Sequence, residues 1–155
     1  MKYSFVILIL TLIFLTSCNS GVVYEHEELI DGKWDFDKEL VYEIPVKDTL
    51  TKYDLVATVT HSSEFTYQNF YVDLSTKFPD GRVLNDAVSF QLTDGVGSWE
   101  GRCSGSQCKV NLLLQNKFRF QQIGDYRLGI KNNSRVELDG VKKVELRLIE
   151  LKEEK

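Results

Sequence analysis

Two thiols stand close together in the chain, Cys103 and Cys108, within Cys-Ser-Gly-Ser-Gln-Cys. Cysteines at this spacing can close a short disulfide loop, remain free thiols, or join a metal or redox centre. Tetrahedral zinc takes four ligands and no histidine flanks this pair, while redox thiols are usually two residues apart. A second group, His61-Ser62-Ser63-Glu64, places base, hydroxyl and acid types in one tetrad, the ingredients of a small hydrolase. Consecutive strand residues point to opposite faces, so proximity in sequence does not assemble a triad; the tetrad reads as a loop at the end of a strand. Trp34, Tyr67, Tyr71 and Trp99 carry rings that can stack on sugar, and a packed core uses the same rings. Tyr71 shares its phase with Asp73, Ser75 and Lys77, which makes it the surface candidate. Phosphate-binding glycine loops, HExxH zinc motifs and GxSxG elbows are absent, so no catalytic residue, metal ligand or cofactor is assigned.

The third cysteine, Cys18, has a different setting. Lys2 supplies one positive charge, and Phe5 to Leu15 is an eleven-residue run that is apolar except for Thr11. That length fits a secretory signal, since a spanning helix needs about 20 apolar residues. Leu15-Thr16-Ser17-Cys18 follows, and it resembles the lipobox at which bacterial lipoproteins are acylated and cut. Cleavage between Ser17 and Cys18 makes Cys18 the lipid-bearing first residue of the mature chain. An ordinary secreted protein with a chance cysteine is the plainer alternative. Of 155 residues 138 remain, and the net charge moves from −4 to −5 because Lys2 is the only charge lost. Attachment to the membrane then runs through acyl chains, each buried CH2 contributing about 0.8 kcal/mol. The acidic balance argues against nucleic acid as a partner, which would require a basic face. An exported location favours the disulfide reading of Cys103 and Cys108.

The elements that must position these residues read as strands. A chain of 155 residues has the length of one domain. Alternation of period two recurs between residues 39 and 150, without a helical stripe. Leu40, Tyr42, Ile44 and Val46 share one face, as do Tyr53, Leu55, Ala57 and Val59. Residues 69–92 read as a long hairpin about Phe78-Pro79-Asp80-Gly81, with Phe70, Val72 and Leu74 facing Leu84, Val88, Phe90 and Leu92. Residues 93–109 form a glycine-rich connection, and Val110 to Leu114 fit either a strand or a short helix. Tyr126, Leu128 and Ile130, then Val144, Leu146 and Leu148, complete the pattern. Seven to nine such strands bury their apolar faces most simply in one antiparallel β-sandwich of Greek-key or jelly-roll type, the all-β class expected here. The expected division is a signal peptide over 1–17, a lipidated and partly packed spacer over 18–38, the sandwich over 39–150 and a charged tail over 151–155.

The order of several short phrases resembles the gliding motility lipoprotein GldH family of the Bacteroidetes. They are the lipobox at Cys18, Val23-Tyr24-Glu25, Trp34 and Phe36, and Tyr67-Gln68-Asn69-Phe70-Tyr71-Val72 followed by Phe78-Pro79-Asp80-Gly81. Gly97-Ser98-Trp99-Glu100-Gly101, Phe118-Arg119-Phe120, Gly124-Asp125-Tyr126 and the stretch Val141 to Ile149 continue the match. The resemblance implies a non-catalytic envelope lipoprotein that supports gliding and type IX secretion, with other envelope proteins as partners. It carries over one site residue, Cys18. The Cys103 and Cys108 pair departs from the family's usual loop. Asp48-Thr49-Leu50 is similar to the pattern at which Bacteroidetes glycosylate exported proteins, which makes Thr49 a candidate acceptor. Asn19 after the acylated cysteine, with no acidic cluster behind it, favours the periplasmic face of the outer membrane. A lipid-anchored carbohydrate-binding sandwich is the alternative reading.

Overall fold

The computed structural model describes residues 21–134 and 136–152. Among them every regular element is a strand: β1 (Val22–Leu29), β2 (Lys33–Trp34), β3 (Glu39–Val46), β4 (Lys52–Ser62), β5 (Asn69–Lys77) and β6 (Val83–Gln91), then β7 (Arg102–Ser104), β8 (Gln107–Phe118), β9 (Gly124–Asn132), β10 (Leu138–Asp139) and β11 (Val141–Leu151). One sheet has the order β1-β11-β4-β8-β7 and the other β3-β9-β5-β6, while β10 and β2 form a two-stranded flap. All pairings are antiparallel.

The alternation that predicts strands also builds the core. On β3, Leu40, Tyr42, Ile44 and Val46 are buried while Glu39, Glu43 and Pro45 are exposed. They meet Ala57, Val59, Val144, Leu146 and Leu148 of the opposing sheet in one apolar cluster. Each buried Val, Leu or Ile side chain contributes roughly 1.5–3 kcal/mol by leaving water. The hairpin of β5 and β6 keeps a continuous register from Asn69↔Gln91 to Lys77↔Val83. Gly81 turns it with φ +88°, a conformation that side-chain-bearing residues rarely adopt.

The two ends of the sandwich differ. At the end carrying the β2–β10 flap, Trp34 is fully buried and its indole N–H donates to the Lys38 carbonyl at 2.9 Å. The Asn132 amide donates to the carbonyls of Trp34 and Val136, both at 2.9 Å, and holds the flap down. Phe65, Phe70 and Leu138 pack around it, so this end is plugged. At the opposite end lie Gly21, the β3–β4 turn, the tip of the β5–β6 hairpin and the β8–β9 loop.

Three details depart from the sequence expectation, and one open alternative is settled. The strands number eleven because β2, β7 and β10 are two or three residues long, below what alternation can reveal. The sandwich begins at Val22, not at residue 39: β1 pairs with β11 from Val22↔Ile149 to Leu29↔Lys143. Its sequence, VVYEHEEL, is mostly exposed on an edge and shows little apolar periodicity. Ladder pairing also extends through Leu151, one residue into the expected tail. Val110 to Leu114 belong to β8 and are strand, not helix.

Candidate functional site

The open end of the sandwich leads into a cleft of about 600 Å³ between the sheets. Its walls are Leu55, Leu114 and Phe118 from one sheet and Leu74, Leu84 and Val88 from the other. Asp86, Gln115, Arg119 and Gln121 give it a polar rim. The volume lies in the range of small-ligand sites, and the mostly apolar lining suits an apolar ligand.

The cleft exists because two edge strands fail to close over the core. β7 pairs only with residues 107–109 of β8, so the rest of β8 is a free edge facing the free edge of β6. Pairing of β4 with β8 is interrupted at Tyr53/Leu55 and Leu55/Val56. There Lys117 takes φ +48°, and its N–H donates to Asp54 Oδ1 at 2.7 Å. Bulges of this kind twist an edge away from the regular plane. On β6, residues opposite Thr76, Leu74, Val72 and Phe70 are Leu84, Asp86, Val88 and Phe90, which share the inward phase. Phe90 is buried, yet Leu84 is 52% exposed and Asp86 is exposed. The aspartate in that series is the sequence signal of the opening, as is the unbroken Leu112-Leu113-Leu114, where alternation lapses. Neither was read as a site from sequence.

Loops around this end carry their own order. Asp48 begins the β3–β4 turn and is held near a pKa of about 2 by the Thr51 hydroxyl and by the N–H groups of Leu50 and Thr51. Thr49 is half-buried in that turn, and Leu50 beside it is 82% exposed. Arg119 Nε donates to the Leu50 carbonyl at 2.7 Å, tying the turn to the cleft rim. Asp80 at the β5–β6 tip is likewise held near a pKa of about 2, by the Arg82 side chain and backbone and by Gln122. Arg82 also lies over the Phe78 ring, 4.7 Å from its centroid.

The residues singled out from sequence are dispersed. His61 is wholly buried inside β4, not in a loop, because β4 runs one residue past it. Its ring lies 4.5 Å from Trp99 and 5.6 Å from Phe65, and Nδ1 is 2.8 Å from the Ser62 carbonyl. Burial lowers its pKa against the opposing effect of that carbonyl. Nε2 has no hydrogen-bond partner among the described residues. Glu64 is exposed at the following turn, so the tetrad assembles no triad. Trp34 is core, Trp99 is half-buried on His61, and only Tyr67 and Tyr71 present large exposed surfaces. Cys103 and Cys108 face each other across the β7–β8 turn in a disulfide, at the plugged end. Among the described residues no cluster of three or more His, Cys, Asp or Glu is placed to hold a metal ion. Ser17 and Cys18 lie outside the described residues.

Comparison with known proteins agrees with this architecture in its extent. The family model described as GldH lipoprotein matches residues 21–148, from the start of β1 almost to the end of β11. The gliding motility lipoprotein GldH homolog of Christiangramia forsetii is 28% identical over 145 residues, covering 92% of this chain and 89% of that protein. The gliding motility lipoprotein GldH of Flavobacterium johnsoniae is 23% identical over 125 residues, covering 81% of this chain and 77% of its own. A match running through both sheets, with relatives nearly the same length, covers almost the whole sandwich, and on that basis this chain belongs to the GldH lipoprotein family.

Proposed function

We propose that this protein is a lipid-anchored, non-catalytic subunit of the cell envelope that supports the assembly or stability of a gliding and type IX secretion apparatus. Its lipid attachment site is Cys18, freed as the first residue by cleavage after Ser17, and it resides on the periplasmic face of the outer membrane. The single observation that carries the reading is family membership over residues 21–148, together with relatives named for gliding motility. The setting of His61 supports a non-catalytic role. A ring sealed between Trp99 and Phe65 cannot reach a substrate. Other envelope proteins are the partners in this reading. Thr49, in the turn at the open end, is its proposed glycan acceptor.

Gentle solubilisation of native membranes and pull-down of the lipidated protein tests the reading. Recovery of motility or secretion components is the expected result; recovery of none argues against it. Intact mass of the native protein reports both the acyl groups on Cys18 and any glycan removed by Thr49→Ala.

A further inference from the structure

We infer that the cleft between β6 and β8 houses an aliphatic chain, and that the chain is one of the protein's own acyl groups, carried on Cys18. The inference rests on the acylation of Cys18 proposed above and goes beyond it by giving one acyl group a seat inside the domain.

Three observations lead there. The first is where the described chain begins. The Gly21 carbonyl accepts from Glu150 N at 2.7 Å, Glu150 pairs with Tyr53, and Tyr53 pairs with Phe118 on the cleft wall. These residues lie on four neighbouring strands, so Gly21 and Phe118 are separated by about 15 Å at the same end of the sheet. Cys18 stands three residues before Gly21, within about 11 Å of it at full extension. A long-chain acyl group starting there reaches the cleft mouth.

The second is a smaller space between the two points. A pocket of about 230 Å³ lies beside the start of β1, lined by Val23, Tyr24, Val46, Leu148 and Phe120, with Lys47 and Asp48 at its polar side. Phe120 also lines the large cleft, so its ring stands between the two spaces. The pocket and the cleft are therefore neighbours, and an acyl chain starting near β1 has apolar surface to follow up to the Phe120 ring.

The third concerns what the rims would accept. An extended peptide would need the free edges of β6 and β8 for a backbone ladder. Asp86 puts an exposed charge on the cleft-side phase of the β6 edge, and the bulges near Lys117 twist the β8 edge, both of which discourage strand addition. An aliphatic chain needs no ladder. It fills the apolar interior defined by Leu55, Leu74, Leu114 and Phe118, leaving Asp86 and Arg119 at the wet rim.

The test uses the full, processed protein from cells fed a diazirine-bearing fatty acid. The purified protein, labelled only on its own acyl groups, is placed in nanodiscs of unlabelled phospholipid, irradiated, and mapped by peptide mass spectrometry. The expected result is intramolecular adducts on peptides spanning residues 83–88 and 112–120. Thr76→Phe, which fills the cleft from β5, is expected to abolish them while acylation of the N-terminal peptide stays complete. In the reciprocal experiment, unlabelled protein sits in nanodiscs of diazirine phospholipid. Cleft adducts appearing only there would make the occupant a bilayer lipid and overturn the inference. Full acylation of Cys18 with no cleft adduct in either arm would overturn it while leaving the lipoprotein reading intact. An N-terminal peptide without acyl groups would overturn both.

Discussion

The phenol of Tyr42 on β3 donates a hydrogen bond to the backbone carbonyl of Val144 on β11, 2.8 Å away, across the middle of the sandwich. It is a polar link through a largely apolar core, and burial pushes the phenol's pKa far above its ordinary value, with Glu28 and Tyr24 adding to the effect. A buried neutral hydrogen bond contributes about 0.5–1.5 kcal/mol net. Tyr42→Phe keeps the ring and is expected to lower stability by about that amount, read as a lower urea midpoint with an unchanged slope.

The same residue sets the alkaline limit. In the unfolded chain a tyrosine ionises near pH 10, whereas folded Tyr42 holds its proton to a higher pH. Its stabilising contribution is complete below the unfolded value and declines as pH rises beyond it, because only the unfolded state releases the proton readily. Denaturation midpoints should fall above about pH 10. Tyr42→Phe should fall less steeply, and parallel curves for the two proteins would refute the assignment.

His61 gives the opposite limit. Burial lowers its folded pKa, so below about pH 6.5 the unfolded chain binds more protons than the native one. Stability is therefore expected to fall as the pH drops from about 6.5 towards the lower folded value. His61→Phe should flatten that slope, whatever its effect at neutral pH. Thermal melts at pH 7.5, 6.5 and 5.5 as chosen conditions check it; an equal slope in the variant would place the acid sensitivity elsewhere.

The Cys103–Cys108 disulfide closes a turn of β7 and β8, far from the open cleft. In the chain-entropy account a loop this short stabilises by about 2 kcal/mol. Replacing both cysteines by alanine should leave a folded sandwich that melts about 6–8 °C lower. Near-ultraviolet circular dichroism should retain its native pattern; a molten spectrum would give the bridge a larger part in folding.

Two aromatic residues named for the same chemistry should separate cleanly. Trp34 is fully buried with a bonded indole, so Trp34→Ala should cost about 3–5 kcal/mol. Tyr71 is 53% exposed on the outer face of β5, so Tyr71→Ala should change stability by less than about 0.5 kcal/mol. Urea titrations of both variants measure the contrast.

Much of the sandwich was legible because several strands alternate. β3 buries every second residue from Leu40 to Val46, β11 does so from Val144 to Leu148, and Pro79-Asp80-Gly81 marks the tip of the β5–β6 hairpin. The edges were harder to read. β1 lies on a rim where VVYEHEEL packs one side only lightly, so its composition resembles a linker. The flap strands are too short for any period to register. His61 was misplaced because a polar residue beside two serines suggests a turn, whereas Phe65 folds back from the segment just after β4 and Trp99 arrives from a distant loop to bury it. The cleft escaped notice for a related reason. It is a defect of closure between β6 and β8, edge strands of different sheets that do not pair, and a missing pairing leaves no period in the sequence.

The position of β1 governs how the domain bears force. Load entering at Gly21 along the strand axis acts on a ladder whose registered pairs with β11 run from Val22↔Ile149 to Leu29↔Lys143. Antiparallel hydrogen bonds lie perpendicular to the strands, so lengthwise traction shears them together instead of opening them one after another. β11 in turn pairs with β4 along nearly its whole length. Tension is thereby handed to the centre of the sheet, and a short exposed edge strand becomes the mechanical coupling of the domain.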